Sequence, residues 1–325
     1  MILDGAARVL ICGGKNTGKK TFASAFLNVF TQYVFFGRSS DLYICLADRN
    51  MPRLNDEDKI DVHARSAEFV TKSMSLDQAF KGQIEKFRSE IEFQLIIDNE
   101  FCGRIKLLNI LGDLSGLHKE ITEHGITTVV VIADGEYLER SDYSSTKDLL
   151  EQIREIQPGN YPFSVLVAVS KVDLIGVENT QKVSFFEKCT GFSRIAAFCS
   201  ENGIPCRFTS FSAAGSNTSM VFDDGGNLVS NPDYRPWNVE TVGLSIISSA
   251  LPILKTQYTR EQEKYISSIR KNRGIFNSDS FRSEMELQFS RAGLASAVQG
   301  LYQLDKFSRY SRQIVEHLNQ KVFMI

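Results

Sequence analysis

The chain has 325 residues, enough for one large domain with an appendage or for two small domains. Hydrophobic residues make up 42% and charged residues 23%, an ordinary balance for a globular protein. The net charge of −2 supplies no global positive field of the kind that draws a protein to nucleic acid or to an acidic membrane surface.

The chain opens without a basic segment followed by an apolar one, so no signal peptide is expected. No run approaches the roughly 18 consecutive apolar residues that a transmembrane helix requires. Six cysteines, Cys12, Cys45, Cys102, Cys189, Cys199 and Cys206, include no C-x-x-C pair. They read as reduced thiols of a cytoplasmic protein rather than as a disulfide framework or a zinc site.

Residues 7–12 form a short apolar run of the buried-strand type, followed by the turn Gly13-Gly14-Lys15-Asn16-Thr17-Gly18. From residue 21 to about 35, Phe22, Phe26, Leu27, Phe30 and Tyr33 recur at helical spacing. Strand, glycine-rich loop and helix, in that order, make the frame a phosphate-binding loop requires. Residues 37–90 read as an insertion or an extended switch region, with a strand candidate at 41–48 and a helix at 76–90.

Strand runs at 92–97 and 104–111 flank the turn Asp98-Asn99-Glu100 and predict a hairpin. Further buried strands fall at 127–133, 163–169 and 206–212, and helices at 142–156 and 183–199. A small hairpin spans about 218–230 around Asp223-Asp224-Gly225-Gly226. Asn238 caps a helix to about residue 258 with Val239, Val242, Ile246, Ala250 and Leu254 on one face. Charged helical stretches follow at 260–271 and 280–321. Strands alternating with helices imply a three-layer α/β fold with a mainly parallel six-stranded sheet and a C-terminal helical extension. The expected domains are 1–258 and 259–325.

Four segments after predicted strands carry chemistry. Gly13-x4-Gly18-Lys19 fits the first part of the Walker A pattern. The amides of such a loop wrap a β-phosphate, the following helix adds its positive end, and Lys19 would bridge the β- and γ-phosphates. Asp113-Leu114-Ser115-Gly116 puts a carboxylate where a magnesium ion is held and a Gly116 N–H where a γ-phosphate would sit. In Ser170-Lys171-Val172-Asp173, the Asp173 carboxylate can accept two hydrogen bonds from the N1 and N2 edge of guanine, a pair adenine lacks. The stem of Lys171 can lie along the purine. Ser212-Ala213-Ala214 offers a backbone N–H for the guanine O6. The last three segments are each weak alone, but the order of all four at the carboxyl ends of strands is what an open α/β nucleotide site needs.

On these residues the chain resembles the Ras-like (small-GTPase, TRAFAC) branch of P-loop GTPases over about residues 7–258. The segment Pro236-Trp237-Asn238-Val239 resembles bacterial GTPase-like domains of multi-component systems. The resemblance implies a GTP/GDP-binding molecular switch that uses Mg2+. It makes Gly13, Gly14, Lys15, Asn16, Thr17, Gly18, Lys19, Lys20, Thr21, Gly116, Ser170, Lys171, Asp173, Ser212, Ala213 and Ala214 the nucleotide contacts.

The chain departs from the family in three places. Lys20 stands where the family's magnesium-ligating Ser or Thr follows the lysine, so that either Thr21 or water joins Asp113 at the metal or metal binding is weakened. Leu117 replaces the glutamine that orients the attacking water, leaving His118 as the catalytic candidate. Ser170 replaces Asn or Thr but keeps a hydroxyl for the phosphate loop. Binding with slow or partner-assisted hydrolysis is therefore the first expectation. A pseudo-GTPase scaffold is the second, and a nucleotide or small-molecule kinase the third. The expected partner is an effector or regulatory protein, met through the switch regions or the C-terminal helices, where Phe307, Tyr310, Ile314 and Leu318 recur at helical spacing. The apolar end Val322-Phe323-Met324-Ile325 is a segment that could insert into a neighbour, and the chain is compatible with homo-oligomer formation.

Overall fold

The computed structural model describes residues 6–14, 17–19, 22, 26, 34–35, 43–48, 90–97, 100–109, 117, 121, 123–139, 151–155, 163–172, 190–212, 220–222, 228–230, 238–273, 280–317 and 323–324. The strands are β1 (Ala6–Gly13), β2 (Val34–Phe35), β3 (Tyr43–Asp48), β4 (Glu90–Ile97), β5 (Glu100–Asn109) and β6 (Thr128–Asp134). They continue with β7 (Ser164–Ser170), β8 (Cys206–Ser210), β9 (Met220–Phe222), β10 (Leu228–Ser230) and β11 (Phe323–Met324). The helices are α1 (Gly135–Glu139), α2 (Thr190–Glu201), α3 (Val239–Arg273) and α4 (Ser280–His317).

The main sheet runs β11-β8-β7-β6-β1-β5-β4-β3-β2. β1 lies between β5 and β6, parallel to both, and β6, β7 and β8 continue the parallel set. β4 returns antiparallel on β5, as the predicted hairpin requires. These six strands are the α/β sheet expected from sequence. Among the described residues the sheet is larger, with nine strands, because β3 and β2 extend it antiparallel beyond β4 and β11 closes the other edge on β8. β9 and β10 form the small separate hairpin foreseen near 218–230.

Strand side chains alternate between faces, and the core divides accordingly. One face carries Val9, Ile11, Ile105, Leu107, Val130, Ile132 and Leu166 under Phe22, Phe26, Phe211, the first half of α3, and Leu304 and Phe307 of α4. The other carries Leu10, Cys12, Val129, Val131, Val165, Val167 and Phe208 under Leu117, Ile121, Ile153 and the α2 residues Phe192, Ile195 and Cys199. The result is three layers, with a doubly buried sheet whose strands read as continuous apolar runs. Each fully buried Val, Leu, Ile or Phe contributes roughly 1.5–3 kcal/mol.

Four expectations are corrected. The helix after the glycine loop does not reach residue 35, because Val34 and Phe35 pair antiparallel with Ile44 and Tyr43. The helix starting after Asn238 does not end near residue 258. It runs on for 35 residues to Arg273, through the proposed domain edge, and forms an antiparallel hairpin with α4. Nothing between 259 and 271 breaks a helix, and two glycines of α4 admit its tyrosines. A Cβ on Gly300 would lie 2.4 Å from the Tyr258 ring, and one on Gly293 2.3 Å from the Tyr265 ring. Phe307 is fully buried in the domain's own core and is not a surface docking residue. Phe323 and Met324 pair with Phe208 and Arg207 of the same sheet, so this end of the chain completes its own edge. The segment 37–90, apart from 43–48 and residue 90, lies outside the described residues, as do residues 76–89 of the expected helix, whose last residue Glu90 instead opens β4, and residues 142–150 and 183–189 of two others.

Cys12, Cys102, Cys199 and Cys206 are buried thiols. No helix among the described residues is long and apolar enough to cross a membrane.

Candidate functional site

Because β1, β6, β7 and β8 are parallel, Gly13, Asp134, Ser170 and Ser210 all emerge at one edge of the sheet. The first candidate segment is a turn at the end of β1. A Cβ on Gly13 would lie 2.4 Å from the carbonyl oxygen of Ile132 and 2.8 Å from Thr17 Oγ1, so only glycine lets the loop leave β1 this close to β6. Gly18 has φ +86°, a left-handed conformation that a side chain disfavours. From there the chain turns into a helix, with Phe22 N donating to Gly18 O at 2.8 Å.

The Lys19 ammonium folds back over this turn and donates to the carbonyl oxygens of Gly13 at 2.7 Å and Gly14 at 2.6 Å. Thr17, fully buried, donates its hydroxyl to Gly14 O at 3.1 Å. A cation thus stands at the mouth of a loop rich in main-chain polar groups, at the start of a helix. That is the arrangement an anionic oxygen cluster would meet.

Ser170, at the end of β7, lies directly behind the loop. Its buried hydroxyl sits 2.7 Å from Thr17 O and 3.1 Å from Ala133 O, one proton shared between the two carbonyls. The glycine-rich segment and the one that begins at Ser170 therefore meet, with Thr17 and Ser170 153 positions apart in the chain. Lys171 follows with φ +57° and ion-pairs with Asp134 through Nζ and Oδ2 at 2.5 Å. The other oxygen of Asp134 accepts the Glu136 N–H at 3.0 Å, capping α1.

On the next strand, Phe211 packs on Phe22 with ring centroids 4.9 Å apart and leads into buried Ser212. Asn238, at φ +61°, donates its amide to Ser210 O at 2.5 Å and ties the start of α3 to this strand end. Ser212, the first residue of the Ser212-Ala213-Ala214 segment, is thus held beside the helix that follows the glycine-rich loop.

Burial pushes the Cys12 thiol, just before the loop, up to about 12, although the charge of Lys19 pulls the other way. Cys12 is a neutral packing residue.

Of the residues singled out from sequence, Gly13, Gly14, Thr17, Gly18, Lys19, Ser170, Lys171 and Ser212 are brought to this edge. Lys15, Asn16, Lys20, Thr21, Asp113, Gly116, His118, Asp173, Ala213 and Ala214 lie outside the described residues. Leu117 belongs to the core, only 1% exposed. Among the described residues no group of three or more His, Cys, Asp or Glu could hold a metal ion. Asp134 was missed by sequence reading. The available signal was an acidic residue closing an apolar strand ahead of Gly135 and Glu136, a helix-capping position.

No protein-family model matches the sequence, and no curated protein matches it. Similar solved structures include the GTPase-like domain of S. cerevisiae Ski7 bound to GTP, at 12% identity and a TM-score of 0.42 over 75% of this chain and 50% of that one. The small COPII coat GTPase SAR1 from Encephalitozoon cuniculi, in complex with GDP, is similar at 15% identity and a TM-score of 0.27 over 62% of each chain. This chain thus spans half the length of the first protein and about three-fifths of the second.

Proposed function

We propose that this chain is a guanine-nucleotide-binding regulatory protein of the Ras-like branch of P-loop GTPases. In this reading it acts as a GTP-dependent switch whose hydrolysis is slow or supplied by a partner. The observation that carries the reading is the contact of Ser170 with the loop that Lys19 closes. It joins the glycine-rich loop to the first residue of the S-K-V-D segment, which supports a site where a mononucleotide spans phosphates and base.

In this reading the loop amides and Lys19 hold the phosphates, Asp173 reads the N1 and N2 edge of guanine, and an N–H of residues 212–214 meets O6. Asp113 and Thr21 would hold Mg2+, weakly because Lys20 stands beside it. His118 is the candidate for orienting water. The nucleotide state would bias the stretch around 113–124, and with it an effector or regulatory protein. The affiliation with bacterial multi-component systems rests on residues 236–239 of the sequence.

Burial of Leu117 favours a second reading, a pseudo-GTPase that binds nucleotide without turnover, because no water-orienting group stands at that position.

The test is titration of the purified chain with GTP and with ATP, each with and without magnesium, followed by single-turnover hydrolysis. GTP should bind and ATP should bind far more weakly. Unaided hydrolysis should not exceed the order of 10⁻⁴ s⁻¹ known for intrinsic small-GTPase turnover. Lys19→Met should abolish binding and leave the fold intact, and Lys20→Thr should strengthen the dependence on magnesium. Equal affinity for ATP and GTP would remove the guanine assignment, and unaided turnover near 1 s⁻¹ would remove the slow-switch reading.

A further inference from the structure

We propose that Asp134 is a positioning residue for the nucleobase, acting by pinning Lys171 across the strand ends. The inference rests on the guanine-nucleotide reading above and extends it to a residue that no sequence motif includes.

Asp134 and Ser170 are register partners at the ends of the adjacent parallel strands β6 and β7, and Lys171 comes one residue later. A lysine at the end of a strand ordinarily points its ammonium into water, with its stem free to sample many rotamers. Here the left-handed backbone of Lys171 turns the side chain sideways, and its ammonium reaches the carboxylate of the neighbouring strand.

That carboxylate is itself fixed. Its side chain is 0% exposed, and Oδ1 is occupied by the Glu136 N–H. Losing the Lys171 ammonium would leave this buried charge uncompensated, which favours the paired arrangement. The Lys171 side chain stays 31% exposed, so it is not sealed into the protein. With the ammonium anchored, the stem loses rotamer freedom and its exposed methylenes become a fixed apolar surface.

The surface is next to the phosphate-type loop. A Cβ on Gly18 would lie 3.9 Å from Ser170, the residue before Lys171. A purine carried by a nucleotide whose phosphates sit on the loop would rest on this stem. Asp134 does not touch the base. It removes in advance the rotamer freedom that Lys171 would otherwise lose on binding.

The experiment titrates the 325-residue chain, as wild type, Asp134→Asn, Lys171→Met and the double variant, with GTP and with inorganic tripolyphosphate by calorimetry. Asn keeps an oxygen for the Glu136 N–H but cannot hold an ammonium as an ion pair. Met keeps a stem but has no charge to anchor it. Each single variant should lose roughly tenfold in GTP affinity, the order set by the freedom a lysine loses on being fixed. Tripolyphosphate affinity should be unchanged, and the double variant should be no worse than either single one.

Unchanged GTP affinity in Asp134→Asn overturns the inference. So does an equal loss for both ligands, or losses that add in the double variant. If Asp134→Asn fails to fold, Lys171→Met decides alone, and wild-type GTP affinity in it overturns the inference. A wild-type chain that binds tripolyphosphate but not GTP defeats the nucleotide reading itself, a result distinct from any of these.

Discussion

The hydroxyl of Ser170 lies 2.7 Å from the carbonyl oxygen of Thr17, so the end of β7 is fastened directly to the turn that Lys19 closes. The same proton is shared with Ala133 O on β6, which makes Ser170 a three-way tie between two strand ends and the loop. Ser170→Ala leaves two buried carbonyls without this donor. Stability should fall by about 1–2 kcal/mol in urea unfolding, because a buried acceptor loses its partner. GTP affinity should fall with it, since the loop loses its backing. An unchanged urea midpoint would show that the tie contributes nothing.

Gly13→Ala tests the other side of the loop. The added Cβ meets Ile132 O at 2.4 Å, and a backbone oxygen inside a parallel sheet cannot move aside as a flexible side chain would. The cost should be about 1–3 kcal/mol or more in unfolding experiments, with loss of nucleotide binding. Gly14→Ala is the comparison that shows whether the effect belongs to position 13.

Leu117→Gln restores the side chain that the small-GTPase pattern has after D-x-x-G. Position 117 is buried against the apolar face of the sheet shared with Ile121 and Val131, so the amide would enter the core without a stated partner. The variant should lose about 1–3 kcal/mol of stability, the cost of burying an unpaired polar group, and hydrolysis should not accelerate. A faster turnover measured under single-turnover conditions would show that residue 117 reaches the phosphates.

The hairpin of α3 and α4 is closed by rings seated on glycines. Tyr258 lies against Gly300 and also donates its hydroxyl to Phe101 O at 3.2 Å, which limits how far its ring can swing away. Gly300→Ala should therefore destabilise the chain by roughly 1–3 kcal/mol despite the better helix propensity of alanine. Thermal unfolding checks this, and a raised Tm would mean the ring yields at little cost.

These cases separate what local sequence encodes from what it does not. The turn at Gly13, Gly18 and Lys19 is legible because strand, glycine-rich turn and helix follow one another in a short window, and Ser170 because it closes an apolar strand. Asp134 is not, since its partner Lys171 lies 37 positions away and the two meet only through the order of β6 and β7. Two-residue strands such as β2 and β11 carry no periodicity and are defined by the strand they join. The docking of the second half of α3 on α4 seats Tyr265 on Gly293, a tertiary match that no window of sequence contains. Asp113 and Asp173 were readable as motif residues, but they lie outside the described residues.

Cys12 gives a prediction in pH. Its thiol ordinarily ionises at 9.0, and burial in the fold holds it protonated up to about 12. Below pH 9 both states carry the proton and its contribution to stability is fully present. Between the two values the unfolded chain releases a proton that the folded chain keeps, so unfolding becomes more favourable as pH rises. The loss should be about 1 kcal/mol per pH unit above 9, on the order set by one proton. Cys12→Ala removes this slope and keeps the contributions of every other group, so urea unfolding of both proteins from pH 8 to 10.5 isolates the effect. The wild type should lose stability faster than the variant across that range. Parallel curves would mean that the thiol ionises in the folded chain as readily as in the unfolded one.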